Sequence, residues 1–132
     1  MATPTDYIGL GVQPELAKIL GFPAQQFTVQ GASAGSASQM YSGNGVYFVN
    51  ATNNGSYALL PIIGGFQGAL LGDQIHVFNG LSASIQICAT AGITIVGSSQ
   101  AVSGTTGITL TTGREATFIP ITATTYGYTT SN

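Results

Sequence analysis

Gly72-Asp73-Gln74-Ile75-His76-Val77-Phe78-Asn79-Gly80-Leu81-Ser82-Ala83-Ser84-Ile85-Gln86-Ile87 is the stretch that decides the fold class. Ile75 and Val77 alternate with His76 and Phe78, and Ile85 and Ile87 flank Gln86. A period of two puts each apolar pair on one side of a pleated strand. Between the runs, Asn79-Gly80 tolerates the positive φ of a tight turn. The stretch reads as two strands joined in a hairpin.

The same grammar extends outward. Ile93/Ile95, Ile108/Leu110 and Ala116/Phe118 are further alternating pairs, and with Ile75/Val77 and Ile85/Ile87 they form the expected core. The chain holds 12 Ile, 7 Val and 17 Thr, residue types that fit a pleated surface. Strands are expected near Phe27 to Gln30, Val46 to Val49, Tyr57 to Ile63, Gln74 to Phe78, Ser84 to Ala89, Ile93 to Val96, Ile108 to Thr111, Ala116 to Ile121 and Tyr126 to Thr129. Asn44-Gly45 and Asn54-Gly55 are further turn sites, so Val46 to Leu60 reads as a second hairpin. Val46-Tyr47-Phe48-Val49-Asn50 faintly resembles Ile75-His76-Val77-Phe78-Asn79, a likeness that hairpin grammar explains without duplication. Gln30 to Ser42, rich in Gly, Ala and Ser, has no clear period and reads as a loop or arm.

One helical signal stands apart. In Gln13-Pro14-Glu15-Leu16-Ala17-Lys18-Ile19-Leu20-Gly21-Phe22-Pro23, Pro14 suits a first helical position, Glu15 and Lys18 complement the dipole, and Gly21 and Pro23 stop the helix. Such a helix is too short to stand alone in water, so Leu16, Ile19 and Leu20 must dock, on the subunit's own body or on a neighbour. The expected organisation is an N-terminal arm with this helix over residues 1–26 and a β-sandwich domain over 27–132.

Composition limits what such a domain can do. Of 132 residues, 5% are charged (Asp6, Glu15, Lys18, Asp73, Arg114 and Glu115), and the net charge is −2. A monomer of this mass exposes roughly 6,500 Å², so one charge serves about 1,100 Å², more than the ~800 Å² that one partner loses in an ordinary interface. Much of the surface is expected to be covered by other subunits. Lys18 and Arg114 are too few to neutralise phosphates, which excludes direct nucleic-acid binding. No apolar run approaches the ~18 residues of a membrane-spanning helix. Met1 to Asp6 lacks the basic start and apolar core of a secretion signal, so synthesis in a cytoplasm is expected. Cys88, the single cysteine, cannot form an intrachain disulfide.

Candidate chemistry is sparse. His76 lies mid-strand between apolar neighbours with no nucleophile placed for it, and reads as a packed or surface histidine. One His, one Cys and four scattered carboxylates offer no paired metal-ligand spacing. Asp73 and Glu115, the two carboxylates near strand starts, read as solvated loop ends rather than a glycosidase pair. No catalysis, cofactor or metal is expected. Tyr126 and Tyr128 share one face of the last strand and are the candidate sugar contacts, since an aromatic ring offers a flat apolar face and a hydroxyl; sheet or interface packing is the simpler use.

Two stretches carry a family likeness. Gly9-Leu10-Gly11-Val12-Gln13-Pro14-Glu15-Leu16-Ala17-Lys18-Ile19-Leu20-Gly21 resembles an N-terminal motif of small tailed-bacteriophage virion proteins, and Gly72 to Asn79, continuing through Ser84-Ile85-Gln86-Ile87 to Gly113 and Phe118, resembles their C-terminal β-domain. Cys88-Ala89-Thr90, where the family often has an aromatic and proline, and Arg114 between Gly113 and Glu115 depart from the pattern. The resemblance implies a trimeric β-structured particle protein and brings no catalytic residues. The expectation is therefore all-β: a jelly-roll-like antiparallel β-sandwich with one short N-terminal helix. Its expected role is capsid decoration, or cement: a homotrimer on the virion capsid surface that binds the assembled major capsid protein lattice through Ile8, Leu10, Leu16, Ile19 and Leu20. The alternative is a tail- or head-fibre domain that binds host surface glycans through Tyr126 and Tyr128.

Overall fold

A computed structural model describes residues 24–41, 45–65, 68–97 and 100–131. The expected helix, and with it Ile8, Leu10, Leu16, Ile19 and Leu20, lies outside these residues. The described chain is nearly all β: β1 (Ala24–Gln30), β2 (Ser38–Gln39), β3 (Gly45–Asn53), β4 (Tyr57–Leu59), β5 (Ile75–Asn79), β6 (Ile85–Cys88), β7 (Thr94–Val96), β8 (Ala101–Ser103), β9 (Ile108–Leu110), β10 (Glu115–Thr122) and β11 (Thr125–Thr130). Each expected strand is found. β1 starts three residues before the expected Phe27, and β4 stops at Leu59 because the run on to Ile63 contains Pro61, which has no N–H for a ladder.

The strands form two sheets, one in the order β1-β3-β5-β10-β11-β7-β8 and one in the order β2-β4-β6-β9. Antiparallel pairing was the expectation, and the sheets are mixed instead. β1–β3, β3–β5, β11–β7, β2–β4 and β4–β6 are parallel, while β10–β11, β10–β5, β6–β9 and β7–β8 are antiparallel. The physical reason lies in the turns. Asn54 takes φ 55° and Gly55 φ 154°, but the chain does not fold back beside β3; it arches over to β4 in the opposite sheet. β5 crosses to β6 in the same way. An arch turns two strands so that their apolar sides confront each other, whereas a hairpin lays them side by side. From β1 to β6 the chain thus coils three times between the sheets, each circuit stacking on the one before, until β10 and β9 pair antiparallel with β5 and β6.

The two aromatic strands stack, one residue out of step with the likeness read in the sequence. β3 and β5 are adjacent and in parallel register, Tyr47 beside Val77 and Phe48 beside Phe78, with the two Phe rings edge to face at 5.7 Å. Of Gln30 to Ser42, read as a loop or arm, the described part up to Tyr41 forms the first arch and β2 and belongs to the body. Gly31 N–H donates to Asn53 and Ser56 N–H donates back to the Gly31 carbonyl, and Met40 is buried. The arches of the first two circuits lie so close that a Cβ on Gly55 would fall 1.8 Å from the Gly31 carbonyl oxygen; only glycine fits there.

Both sheets turn alternate residues into one apolar cluster. Tyr47, Val49, Ile75, Val77, Ile95, Ala116, Phe118 and Tyr126 come from the large sheet, and Ala58, Ile85, Ile87, Ile108 and Leu110 from the small one. Nine of the ten expected core residues are buried; Ile93 is half-buried against the cluster. Each fully buried large side chain contributes about 1.5–3 kcal/mol of transfer free energy. One polar side chain joins them. Asn79 is fully buried, its amide donating to the carbonyls of Ala83 (2.9 Å) and Leu110 (3.0 Å) while its side-chain oxygen accepts from Leu81 N–H (3.0 Å).

Candidate binding surfaces

The residues that could carry chemistry are held apart. His76 stands on the outer face of the large sheet, its Nδ1 3.0 Å from Thr117 Oγ1 and 3.3 Å from a Glu115 carboxylate oxygen. Register places Thr117 beside His76 and Glu115 beside Phe78, which brings all three to one face. Asp73 lies before the opposite end of β5, where its carboxylate accepts the Leu70 N–H at 2.8 Å and closes a turn. Asp73 is five residue steps from Phe78, the position beside Glu115, about 16 Å at the ~3.3 Å per residue of extended chain. A glycosidase pair needs ~5–10 Å, so these carboxylates do not share a cleft. Among the described residues no group of three or more His, Cys, Asp or Glu is placed to hold a metal ion.

The two tyrosines singled out for sugar contact face inward. Tyr126 is fully buried, its hydroxyl donating to the Pro61 carbonyl at 2.7 Å. Tyr128 is half-buried, its ring stacked on Phe118 at 5.9 Å with 27° between the planes. Alternation correctly puts them on one face, but that face is the core. Tyr126 offers no ring to a sugar.

Exposed apolar side chains gather on two surfaces instead. One is the outer face of the large sheet, where Val46, Phe48, His76, Phe78 and Glu115 line a concavity of about 440 Å³. Phe48 and Phe78 are exposed there. The other is the end of the two-sheet body at which the chain passes from the small sheet back to the large one. Seven large apolar side chains are exposed among the described residues, and five of them, Tyr41, Ile62, Leu70, Leu71 and Ile121, belong to this end. Its loops are tied to one another. Gly72 N–H donates to the Pro120 carbonyl at 3.0 Å, Gly45 N–H to Gln74 at 3.0 Å, and Met40 N–H to Leu59 at 2.8 Å. Within the β4–β5 loop, Ala69 N–H donates to the Ile62 carbonyl at 2.8 Å and Gly64 N–H to Ala69 at 2.7 Å, and Ala69 itself is buried. This closure turns Ile62, Leu70 and Leu71 outward.

Among the described residues the charge at that end is Asp73, already engaged with Leu70 N–H. Leu70 and Leu71 are 65% and 62% exposed, a large apolar area for solvent to wet. The sequence signal for this patch was an apolar pair inside a Gly-rich segment, which strand periodicity does not register. No family model, curated protein or solved structure matches the chain.

Proposed function

We propose that this chain is a structural subunit of a virus particle, a capsid decoration protein that docks on the assembled major capsid protein lattice through the end carrying Tyr41, Ile62, Leu70, Leu71 and Ile121. The observation that supports this reading is the exposure of Tyr41, Ile62, Leu70 and Leu71 on the loops of one end, with Ile121 exposed near the end of β10, on a body whose described charges are Asp73, Arg114 and Glu115. Removing such a patch from water yields roughly 25 cal/mol per Å² of apolar surface, the non-directional attraction on which a protein–protein contact is built. A subunit that binds the closed shell and not the separated capsid protein shifts assembly toward the shell by mass action. Its role is mechanical. The N-terminal residues Ile8, Leu10, Leu16, Ile19 and Leu20 belong to the same proposal as a second point of attachment.

The test is binding of purified protein to particles stripped of it. Leu70→Glu with Leu71→Glu puts two charges into the contact without partners and should weaken binding by at least tenfold, with the thermal unfolding of the free protein unchanged because both side chains are exposed. Undiminished binding by the folded variant would remove this end from the contact.

A further inference from the structure

The sheet edges are unequal. β2 has two residues and β8 and β9 three each, whereas β1 runs for seven. β1 is bonded to β3 on one side, and among the described residues no strand lies on its other side. One row of its peptide N–H and C=O groups faces outward, a template for a further strand. Natural sheets blunt such an edge by brevity, charge, proline or a bulge. The short edges use brevity. β1, Ala24-Gln25-Gln26-Phe27-Thr28-Val29-Gln30, has neither charge nor proline. The register shift beside Phe27 and Thr28 passes over Asn50, so the extra residue lies in β3 and β1 itself is continuous. The lack of charge also extends well beyond the strand: no Asp, Glu, Lys or Arg occurs between Lys18 and Asp73, so nothing in the first two circuits repels a second copy.

We propose that β1 is a self-pairing edge, and that two copies of this chain join by antiparallel pairing of β1 with β1 across a two-fold axis, merging their seven-stranded sheets. Edge length selects the two-fold. The three-fold ring implied by the family likeness requires two different surfaces to meet, and a ring closed through β1 would set seven residues against two or three. A symmetric pair sets seven against seven and hides both edges at once. Gln25, Gln26 and Gln30, all exposed, add uncharged amide donors and acceptors along the seam. This contact is separate from the apolar end and does not depend on what that end binds.

Sedimentation of the full chain at micromolar concentration should give the mass of a dimer. Gln26→Lys with Thr28→Lys, both exposed edge positions, should return a monomer with the thermal transition of the folded subunit retained. Cysteine pairing adds a geometric readout: with all seven residues of β1 paired the two-fold passes through Phe27, so Gln26 of one copy lies opposite Thr28 of the other at ~4.5–5.5 Å between Cα atoms, within disulfide reach, and Gln26→Cys chains mixed with Thr28→Cys chains should cross-link. The buried Cys88 stays out of that reaction. A monomer or a trimer by mass would overturn the proposal, as would a dimer indifferent to the lysine pair. Should the lysine variant fail to fold, the cysteine mixture decides: no disulfide between Gln26→Cys and Thr28→Cys chains overturns it.

Discussion

The phenol of Tyr126 in β11 donates a hydrogen bond to the carbonyl of Pro61 at 2.7 Å, joining the large sheet to the loop that leaves the small one. Both groups are buried. Removing the hydroxyl strands the Pro61 carbonyl away from water, and leaving a buried acceptor unsatisfied costs about 1–3 kcal/mol. Tyr126→Phe should therefore lower the unfolding free energy by about 1–2 kcal/mol in urea titrations. Because Pro61 begins the loop that presents Ile62, Leu70 and Leu71, the same variant should also weaken particle binding, whereas Tyr128→Phe should leave both unchanged.

Alkaline pH should reveal two buried acids. Burial pushes the Cys88 thiol from its ordinary 9.0 up to about 11. The Tyr126 phenol is also raised, by burial first and then by the negative charge of Asp73 and by Tyr47. In both cases the unfolded chain loses its proton at lower pH than the folded one. The stabilisation is thus complete below about pH 9 and is lost as pH rises through about 11 for the thiol, with the phenol extending the loss higher. Urea midpoints should be flat from pH 7 to 9 and fall above that, and Cys88→Ala should remove the first part of the fall. At pH 8 the folded protein should be unreactive toward a thiol reagent that labels it in urea.

Asn79 should be the least replaceable polar residue of the described chain. Its amide donates to Ala83 and Leu110 and its oxygen accepts from Leu81, while its own backbone N–H donates to the Arg114 carbonyl and its carbonyl accepts from Gly113 N–H. One side chain thus ties the β5–β6 arch to β9 in the other sheet. Asn79→Asp keeps the shape and turns the two donors into acceptors aimed at carbonyls, with a charge that has no cationic partner. A loss of about 3–5 kcal/mol, the scale of an uncompensated buried charge, is expected. Asn79→Ser should cost less than Asn79→Asp if charge, rather than lost length, dominates; denaturation of both variants measures this.

How far the sequence leads can be seen at Asn79 itself. Alternation in Ile75-His76-Val77-Phe78 and Ile85-Gln86-Ile87 is a property of single strands, and it located both strands and their buried sides. Whether Asn79-Gly80 closes a hairpin or an arch depends on which sheet receives the next strand, and the local residues are compatible with either. The likeness of Val46–Asn50 to Ile75–Asn79 does not separate them, because the stacked strands pair one residue out of step with it. β2 and β8, with two and three residues, are too short to show a period. At Tyr126 alternation found the face but not its direction, because a tyrosine suits a core with one acceptor as well as a surface. The apolar end was hidden for another reason: Tyr41, Ile62, the Leu70-Leu71 pair and Ile121 lie in three separate stretches of sequence that only the loop crossings bring to one end.

The N-terminal segment and the apolar end make separable claims on attachment. A helix over Pro14 to Leu20 would be about half the ~12–15 residues at which isolated helices become marginal, so Leu16 and Ile19 need an apolar surface to hold it. The core among the described residues runs from Val29 to Tyr126. Leu16→Asp with Ile19→Asp should therefore spare the thermal transition of the β-body and weaken particle binding by at least tenfold, about 1.4 kcal/mol, through two unpaired charges in the contact. Combined with Leu70→Glu and Leu71→Glu, the losses should multiply if the two sites act independently. Undiminished binding by the folded arm variant would assign attachment to the apolar end alone. A lowered thermal transition would instead mean that Leu16 and Ile19 pack on their own subunit, and the exposed Phe48 and Phe78 beside Val46 would then be the surface to substitute next.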